Sequence, residues 1–259
     1  MTAYNQAAYT RLVLEAYSRQ SDQEFAFAVA DDGSGPEIAA LVAEYRGRGL
    51  NIRHIWHEDR GFRRAEILNK AIATSSASYL IFTDNDCMPQ REFIADHRRM
   101  ARRGQFVVGR RVLLNEGLSE KFVSHDLDVS TINDRAWLLR QAAARNVRYA
   151  EMGLRIPWVI CRLISRQGVR LLGANVAAWA HDLRVVNGYD NEFVGYGLDD
   201  TDLEWRLLAT GLQAQSIKGR GCVMHLYHPE RIRTERNAEI MYQRKRDGVV
   251  RVKNGIARS

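Results

Sequence analysis

The segment Tyr79-Leu80-Ile81-Phe82-Thr83-Asp84-Asn85-Asp86 constrains this chain more than any other. A short apolar run rich in β-formers stops at two carboxylates separated by one residue. The run is too short for an independent helix and reads as a buried strand. In an open α/β sheet, ligands gather just beyond the carboxyl ends of strands. Two acids at such an end suit a hard divalent cation, which prefers carboxylate and phosphate oxygens. The same residues also satisfy a plain turn, because Asp and Asn bond their own backbone. The surroundings decide between the two readings.

Strands and helices alternate through the first half. Ala7 to Gln20 reads as a helix, and Phe25 to Ala30 is an apolar run ending in Asp31-Asp32-Gly33-Ser34-Gly35. Pro36 to Arg48 is helical, with Ile38, Leu41, Val42 and Tyr45 at helical spacing. Ile52 to Trp56 is a strand and Arg63 to Thr74 a helix, followed by the Tyr79–Thr83 strand. This alternation predicts βαβ units around a mainly parallel sheet. Right-handed crossovers then bring Asp31-Asp32 and Asp84-Asp86 to one edge. Residues 106–114 read as strand-like. Residues 118–168 are mixed, partly helical and rich in arginine, with an apolar run at 156–164. Leu203 to Leu208 is a helix opened by acids, Gln215 to Tyr227 strand and loop, and the basic tail from Pro229 helical.

At 259 residues the chain is long enough for one large α/β domain. Charged residues at 27% and hydrophobic residues at 46% are those of a soluble globular protein. The three cysteines, Cys87, Cys161 and Cys222, include no CxxC pair, which argues against a disulfide framework or zinc knuckle and fits a reducing compartment. No apolar run approaches the roughly 20 residues that span a bilayer, and no signal peptide is visible. The expected location is cytoplasmic, at or near the inner face of the membrane. The formal charge of +7 attracts phosphates, anionic headgroups or nucleic acid without choosing among them.

The order Thr2-Ala3-Tyr4-Asn5, Gln20, Ala30-Asp31-Asp32-Gly33-Ser34, Arg63 with Asn69-Lys70-Ala71, and Asp84-Asn85-Asp86 resembles the nucleotide-binding half of inverting GT-A glycosyltransferases of family 2. Downstream, Gly173-Ala174-Asn175, Asn187-Gly188-Tyr189-Asp190-Asn191-Glu192-Phe193 and Gly195-Tyr196-Gly197-Leu198-Asp199-Asp200-Thr201-Asp202-Leu203 resemble an acceptor-side motif. That motif is shared with β-1,4-galactosyltransferases and chondroitin-polymerase-like enzymes. The resemblance runs discontinuously over residues 2–228, and the acidic, glycine-rich block at 188–206 is its most specific part. It implies a single GT-A, Rossmann-like α/β domain over 1–259. Residues 1–110 form the nucleotide-binding half, 111–228 the acceptor half with a helical insertion, and 229–259 a helical tail.

The resemblance also implies roles. Asp32 accepts a hydrogen bond from the uracil ring; Thr2 and Tyr4 line the same pocket; Arg63 lies near the uracil or phosphates. Asp84 contacts ribose, with Asn85 beside it in the nucleotide-sugar site. Asp86 binds Mn²⁺ or Mg²⁺ bridging the diphosphate. A histidine near the end of the domain completes the metal site, His225 first and His228 second. Asp200 is the catalytic base, with Asp199 orienting the acceptor. Asn175, Tyr196, Gly197 and Asp202 face the sugars. Ordinary explanations stand beside these: Asp31-Asp32-Gly33-Ser34 also reads as a helix cap and turn, and acids at 199–202 suit the positive end of a helix. Four acids at 199, 200, 202 and 204 exceed what capping requires.

The family pattern carries a full apolar strand before Thr-x-Tyr-Asn, whereas only Met1 precedes Thr2 here. An abbreviated strand is expected to loosen the uracil pocket. The expected partners are a UDP-sugar and a glycan or lipid-linked glycan acceptor in bacterial polysaccharide or lipopolysaccharide synthesis, with peripheral contact at an anionic membrane. Two other readings are weaker. A sugar nucleotidyltransferase lacks its glycine-rich phosphate loop here. A nucleic-acid-binding protein, which the charge allows, lacks any helix-turn-helix or zinc-finger spacing, so no nucleic acid partner is expected.

Overall fold

The computed structural model describes residues 1–165, 170–171 and 173–257. The first half follows the predicted alternation: β1 (Thr2–Ala3), α1 (Ala7–Ser18), β2 (Phe27–Asp31), α2 (Pro36–Gly47), β3 (Ile52–Trp56), α3 (Arg64–Ala73) and β4 (Tyr79–Thr83). Pro36 opens α2, where a fixed φ and a missing N–H cost nothing, and Ile38, Leu41, Val42 and Tyr45 form its buried face. Then come β5 (Cys87–Pro89), α4 (Phe93–Met100), β6 (Gln105–Val108), β7 (Arg110–Leu114), α5 (Glu116–Val123) and a 3₁₀ turn at Val129–Asn133. They are followed by α6 (Arg135–Ala143), β8 (Val147–Arg148), α7 (Ala150–Gly153), α8 (Trp158–Ile164), β9 (Asn175–Trp179) and α9 (Ala180–Val185). The chain closes with α10 (Asp199–Ala209), β10 (Gln213–Ser216), β11 (Cys222–His225) and α11 (Glu235–Asp247).

The strands fall into three ladders. β1, β2 and β3 pair in parallel. In the order β10-β6-β9-β4, β9 runs antiparallel to both neighbours. In the order β5-β11-β7-β8, β11 runs parallel to β7 and antiparallel to β5. The first two ladders meet through Thr2, which pairs with Ala30 and bridges Asp84. The first strand, β1, has two residues. Below it a cavity of about 880 Å³ separates the starts of β2 and β4.

The stretch 106–114 is two strands rather than one. It breaks at Gly109, where a Cβ would lie 2.1 Å from the Asn175 side chain. Asn175 is fully buried; its Nδ2 donates to the carbonyls of Arg110 and Gly221, and its Oδ1 accepts from His97 Nε2 at 2.9 Å. This polar knot ties β9 to α4, to β7 and to the residue before β11.

Most of 118–168 covers the sheet and does not border the cleft. Leu118, Phe122, Val129, Ile132, Trp137 and Leu138 join the largest core cluster, against Val112 of β7 and Met224 of β11. Residues 166–168 of that stretch lie outside the described residues. α8 differs, for it leaves Val159, Ile160, Leu163 and Ile164 exposed. In the tail the helix starts only at Glu235, so residues 229–234 run without helix along the cleft. Among the described residues no helix is long and apolar enough to cross a membrane.

His97 carries a stability consequence. Full burial lowers its pKa from 6.5 to about 4. Between those values the unfolded chain takes up a proton that the folded chain refuses, so stability falls as pH drops from 6.5 toward 4. The loss attributable to His97 is up to about 3 kcal/mol. Urea unfolding of His97→Gln across that range is expected to show a correspondingly flatter pH dependence than the parent chain. Equal slopes would assign the acid sensitivity to other groups.

Candidate active site

The carboxyl ends of β1, β2 and β4 open onto a cleft of about 300 Å³. Thr2, Tyr4, Asp32, Asp84, Asn85 and Asp86 line one wall, as the sequence predicts. Asp32 is held from two sides: Oδ1 lies 2.6 Å from His57 Nε2, and Oδ2 accepts the Arg63 N–H at 2.8 Å. Lys70 Nζ sits 3.0 Å from His57 Nδ1. An ammonium only donates, so Nδ1 accepts and Nε2–H points at Asp32. Burial raises the Asp32 pKa, with the His57 and Arg63 hydrogen bonds opposing. Tyr4 stands at the mouth, its hydroxyl donating to Asp59. Asn85 braces the wall by donating to Thr10 Oγ1 at 3.1 Å.

The metal ligands named from sequence converge. His225 Nε2 lies 3.7 Å and His228 Nε2 3.4 Å from the two oxygens of Asp86. The histidine rings are 5.1 Å apart. His228 Nδ1 donates to the Pro229 carbonyl at 2.8 Å, which leaves Nε2 as the nitrogen turned toward Asp86. Burial lowers the His225 pKa, which keeps that ring neutral and able to ligate. A carboxylate and two imidazoles opening into a polar cleft fit a divalent cation such as Mn²⁺. Cys87 is adjacent, but burial drives its thiol pKa far up and its Sγ–H donates to Asp86, so it is no thiolate ligand.

The opposite wall is the start of α10. Leu198 takes a left-handed conformation there, and Asp199, Asp200 and Asp202 occupy the first turn. Backbone N–H groups at this end favour the carboxylates. Arg64 Nη1 bonds Asp199 at 2.7 Å and Asp200 at 3.1 Å, and Nη2 reaches Asp84 at 3.4 Å. Arg64 and the Thr2 hydroxyl hold Asp84 below the usual carboxylate range despite its burial. Asp200 goes the other way: desolvation, helped by Asp199 and Asp84 against Arg64, raises it to about 7. Gly173 leaves room for it, since a Cβ there would lie 1.9 Å from Asp200 Oδ2.

Three residues named from sequence are not brought to the cleft. Asn175 is consumed by the interior knot that divides β6 from β7. Asp202 is fully buried against Arg206, at 2.7 Å, and Arg206 in turn holds the Val186 and Gly188 carbonyls. Arg63 contributes its N–H to Asp32, while its side chain turns back to the Arg60 carbonyl. Tyr196 and Gly197 do line the cleft; Tyr196 meets Phe62 edge-on, and Gly197 has φ +108° with Arg233 against it. Sequence reasoning missed Arg64, Arg111, Arg231 and Arg233, all on the cleft wall. The available signal was positional: Arg64 begins α3 at the edge where the acids gather, and Arg111 pairs with Val223 two residues before His225.

The profile described as Glycosyl transferase family 2 matches residues 1–172. The chain belongs to that family. A second profile, described as N-terminal domain of galactosyltransferase, matches residues 164–229 of this family 2 chain. Validoxylamine A glucosyltransferase of Streptomyces hygroscopicus subsp. jinggangensis is 27% identical over 225 residues, covering 81% of this chain and 50% of that protein. Chondroitin synthase of Escherichia coli is 23% identical, covering 83% and 32%. The chain therefore spans half or less of these relatives. Two solved structures share the fold. The mannosyltransferase PcManGT of Pyrobaculum calidifontis, in complex with GDP-Man and Mn²⁺, matches at TM-score 0.57 and 18% identity, covering 89% of this chain and 56% of that one. S. aureus TarS 1–349 in complex with UDP matches at 0.60 and 13%, covering 88% and 59%. The fold is GT-A.

Because the methyl group of Gly173→Ala would occupy the Asp200 carboxylate position, that variant of the family 2 chain is expected to turn Asp200 aside without unfolding. Turnover should fall at least about tenfold. A variant with unchanged turnover would show that Asp200 need not occupy this position.

Proposed function

We propose that this chain transfers a sugar, with inversion, from a UDP-sugar to a hydroxyl of a glycan acceptor. One observation carries the reading. A single cleft sets the Asp84, Asp86, His225 and His228 wall against the Asp199-Asp200 helix start, with Arg64 between them. The relatives and fold neighbours named above are sugar transferases or polymer synthases, one with Mn²⁺ and one with UDP. Uracil offers an N–H that a fixed, ionised Asp32 accepts, and a base edge presenting only acceptors there is refused. Thr2 and Tyr4 flank that ring, and Asp84 and Asn85 take the ribose side.

Asp86, His225 and His228 are the residues that would hold Mn²⁺ or Mg²⁺. Such an ion offsets charge growing on a departing diphosphate. Arg231 and Arg233 bring positive charge to the same cleft. Asp200 removes the acceptor hydroxyl proton as the new bond forms on the face opposite the nucleotide. Asp199, pinned by Arg64, orients the acceptor, and Tyr196 offers a ring face to a sugar. We take the acceptor to be a cell-surface polysaccharide or lipopolysaccharide glycan, in keeping with the polymer named in the chondroitin synthase relatives.

Release of UDP from a panel of UDP-sugars with Mn²⁺ and candidate glycans tests the reading. No turnover with any donor, and no UDP binding, would overturn it. Asp86→Ala is expected to abolish metal-dependent turnover and weaken UDP binding while the fold survives; full activity would remove the metal assignment.

A base must be ionised to act. With the Asp200 pKa near 7, kcat/KM is expected to rise with pH through about 7 and level off above it. Asp200→Asn should lose about 10²- to 10⁴-fold in turnover, keep donor affinity, and lose that pH limb. An unaltered profile in Asp200→Asn would place the base elsewhere.

A further inference from the structure

We propose that α8 docks this protein onto an anionic lipid bilayer. The seven-residue helix is amphipathic in the wrong sense for a core element. Cys161 points inward and is fully buried, whereas Val159 is 71% and Leu163 79% exposed, with Ile160 and Ile164 beside them. At about 100° per residue, positions 159, 160, 163 and 164 fall within one outward arc, with Cys161 on the far side. Nothing among the described residues covers this arc.

Cations stand at the first turn of the helix and on its flank. The Arg99 and Arg220 guanidinium groups lie 4.6 Å and 5.0 Å from the Trp158 ring centre. Arg162 sits on the flank of the helix, and Lys218 precedes Gly219, whose carbonyl accepts the Ile156 N–H. Arg99, Arg162 and Lys218 are exposed and form no ion pair among the described residues. An aliphatic face with unpaired cations near its first turn and on its flank suits an anionic leaflet, where side chains enter the acyl region and cations meet lipid phosphates. A protein partner fits less well. Four aliphatic side chains fall far short of the roughly 20–30 residues a side that a stable interface uses, and a neutral partner would leave the cations unpaired.

Docking stands on α8 alone. Its benefit to catalysis, bringing the enzyme to a lipid-linked acceptor, rests on the proposed transferase reading.

Co-sedimentation with phosphatidylcholine vesicles, with and without phosphatidylglycerol, tests the docking. The intact chain is expected to sediment with the anionic vesicles at low salt and to be released by high salt. Val159→Ser/Leu163→Ser and Arg99→Glu/Arg162→Glu should each weaken binding at least about tenfold. Both should keep the parent chain's circular dichroism and UDP affinity, since neither pair lines the cleft. Absence of binding, or binding unchanged in either variant, would overturn the proposal. So would a concentration-dependent dimer that Val159→Ser/Leu163→Ser dissociates without vesicles, which would make the face a contact between copies. Loss of docking with unchanged UDP binding leaves the transferase reading intact, and loss of UDP-sugar turnover with docking preserved overturns only that reading.

Discussion

Arg64 holds the cleft together. Its guanidinium contacts Asp84 at the end of β4 and Asp199 and Asp200 at the start of α10. These acids come from segments more than a hundred residues apart in the chain. Three carboxylates facing one small space repel one another and resist ionising together. A planar cation with several donors in a fork can satisfy all three, which an ammonium on a flexible stem does less well. The wall at the strand ends and the wall at the start of α10 therefore share one electrostatic centre.

That centre depends on a framework with little margin. Thr2 alone links the β1-β2-β3 ladder to β4, and its hydroxyl donates to Asp84 at 2.5 Å. On the far side, Asn175 joins His97, Arg110 and Gly221 and fixes where β6 gives way to β7. That break lets β7 pair with β11, and β11 delivers His225 to Asp86. A buried amide in the sheet interior thus helps to set the position of His225 beside Asp86. Buried polar groups of this kind hold a unique geometry when every partner is present.

Periodicity made the first half legible. The β3 and β4 strands match their predicted bounds, and the α2 and α3 helices do so within a residue or two, because their apolar spacing is set by local burial. The acids of the cleft were legible as well, since their short-range pattern has few other uses. What escaped was nonlocal. Asn175 and Asp202 sit inside suggestive motifs, yet their side chains serve the interior, and only the path of the sheet reveals which way they face. Arg63 and Arg64 are adjacent, and helix phase gives the cleft to the second. The tail reads as basic helix from Pro229, but residues 229–234 lie outside any helix, and Arg231 and Arg233 stand on the cleft wall.

The same surroundings push two nearby acids in opposite directions. Asp84 is buried but gains more from Arg64 and Thr2 than it loses by desolvation, so it stays ionised. Asp200 also meets Arg64, at 3.1 Å, but its desolvation, with the charges of Asp199 and Asp84 added, outweighs that contact. Two carboxylates whose environments separate their pKa values are suited to different work. The permanently ionised one can hold a donor in place through every stage. The one balanced near neutrality can take up a proton and release it again within a turnover. Arg64 contacts both carboxylates, and the Thr2 hydroxyl, which donates to Asp84, helps keep that one ionised while Asp200 titrates.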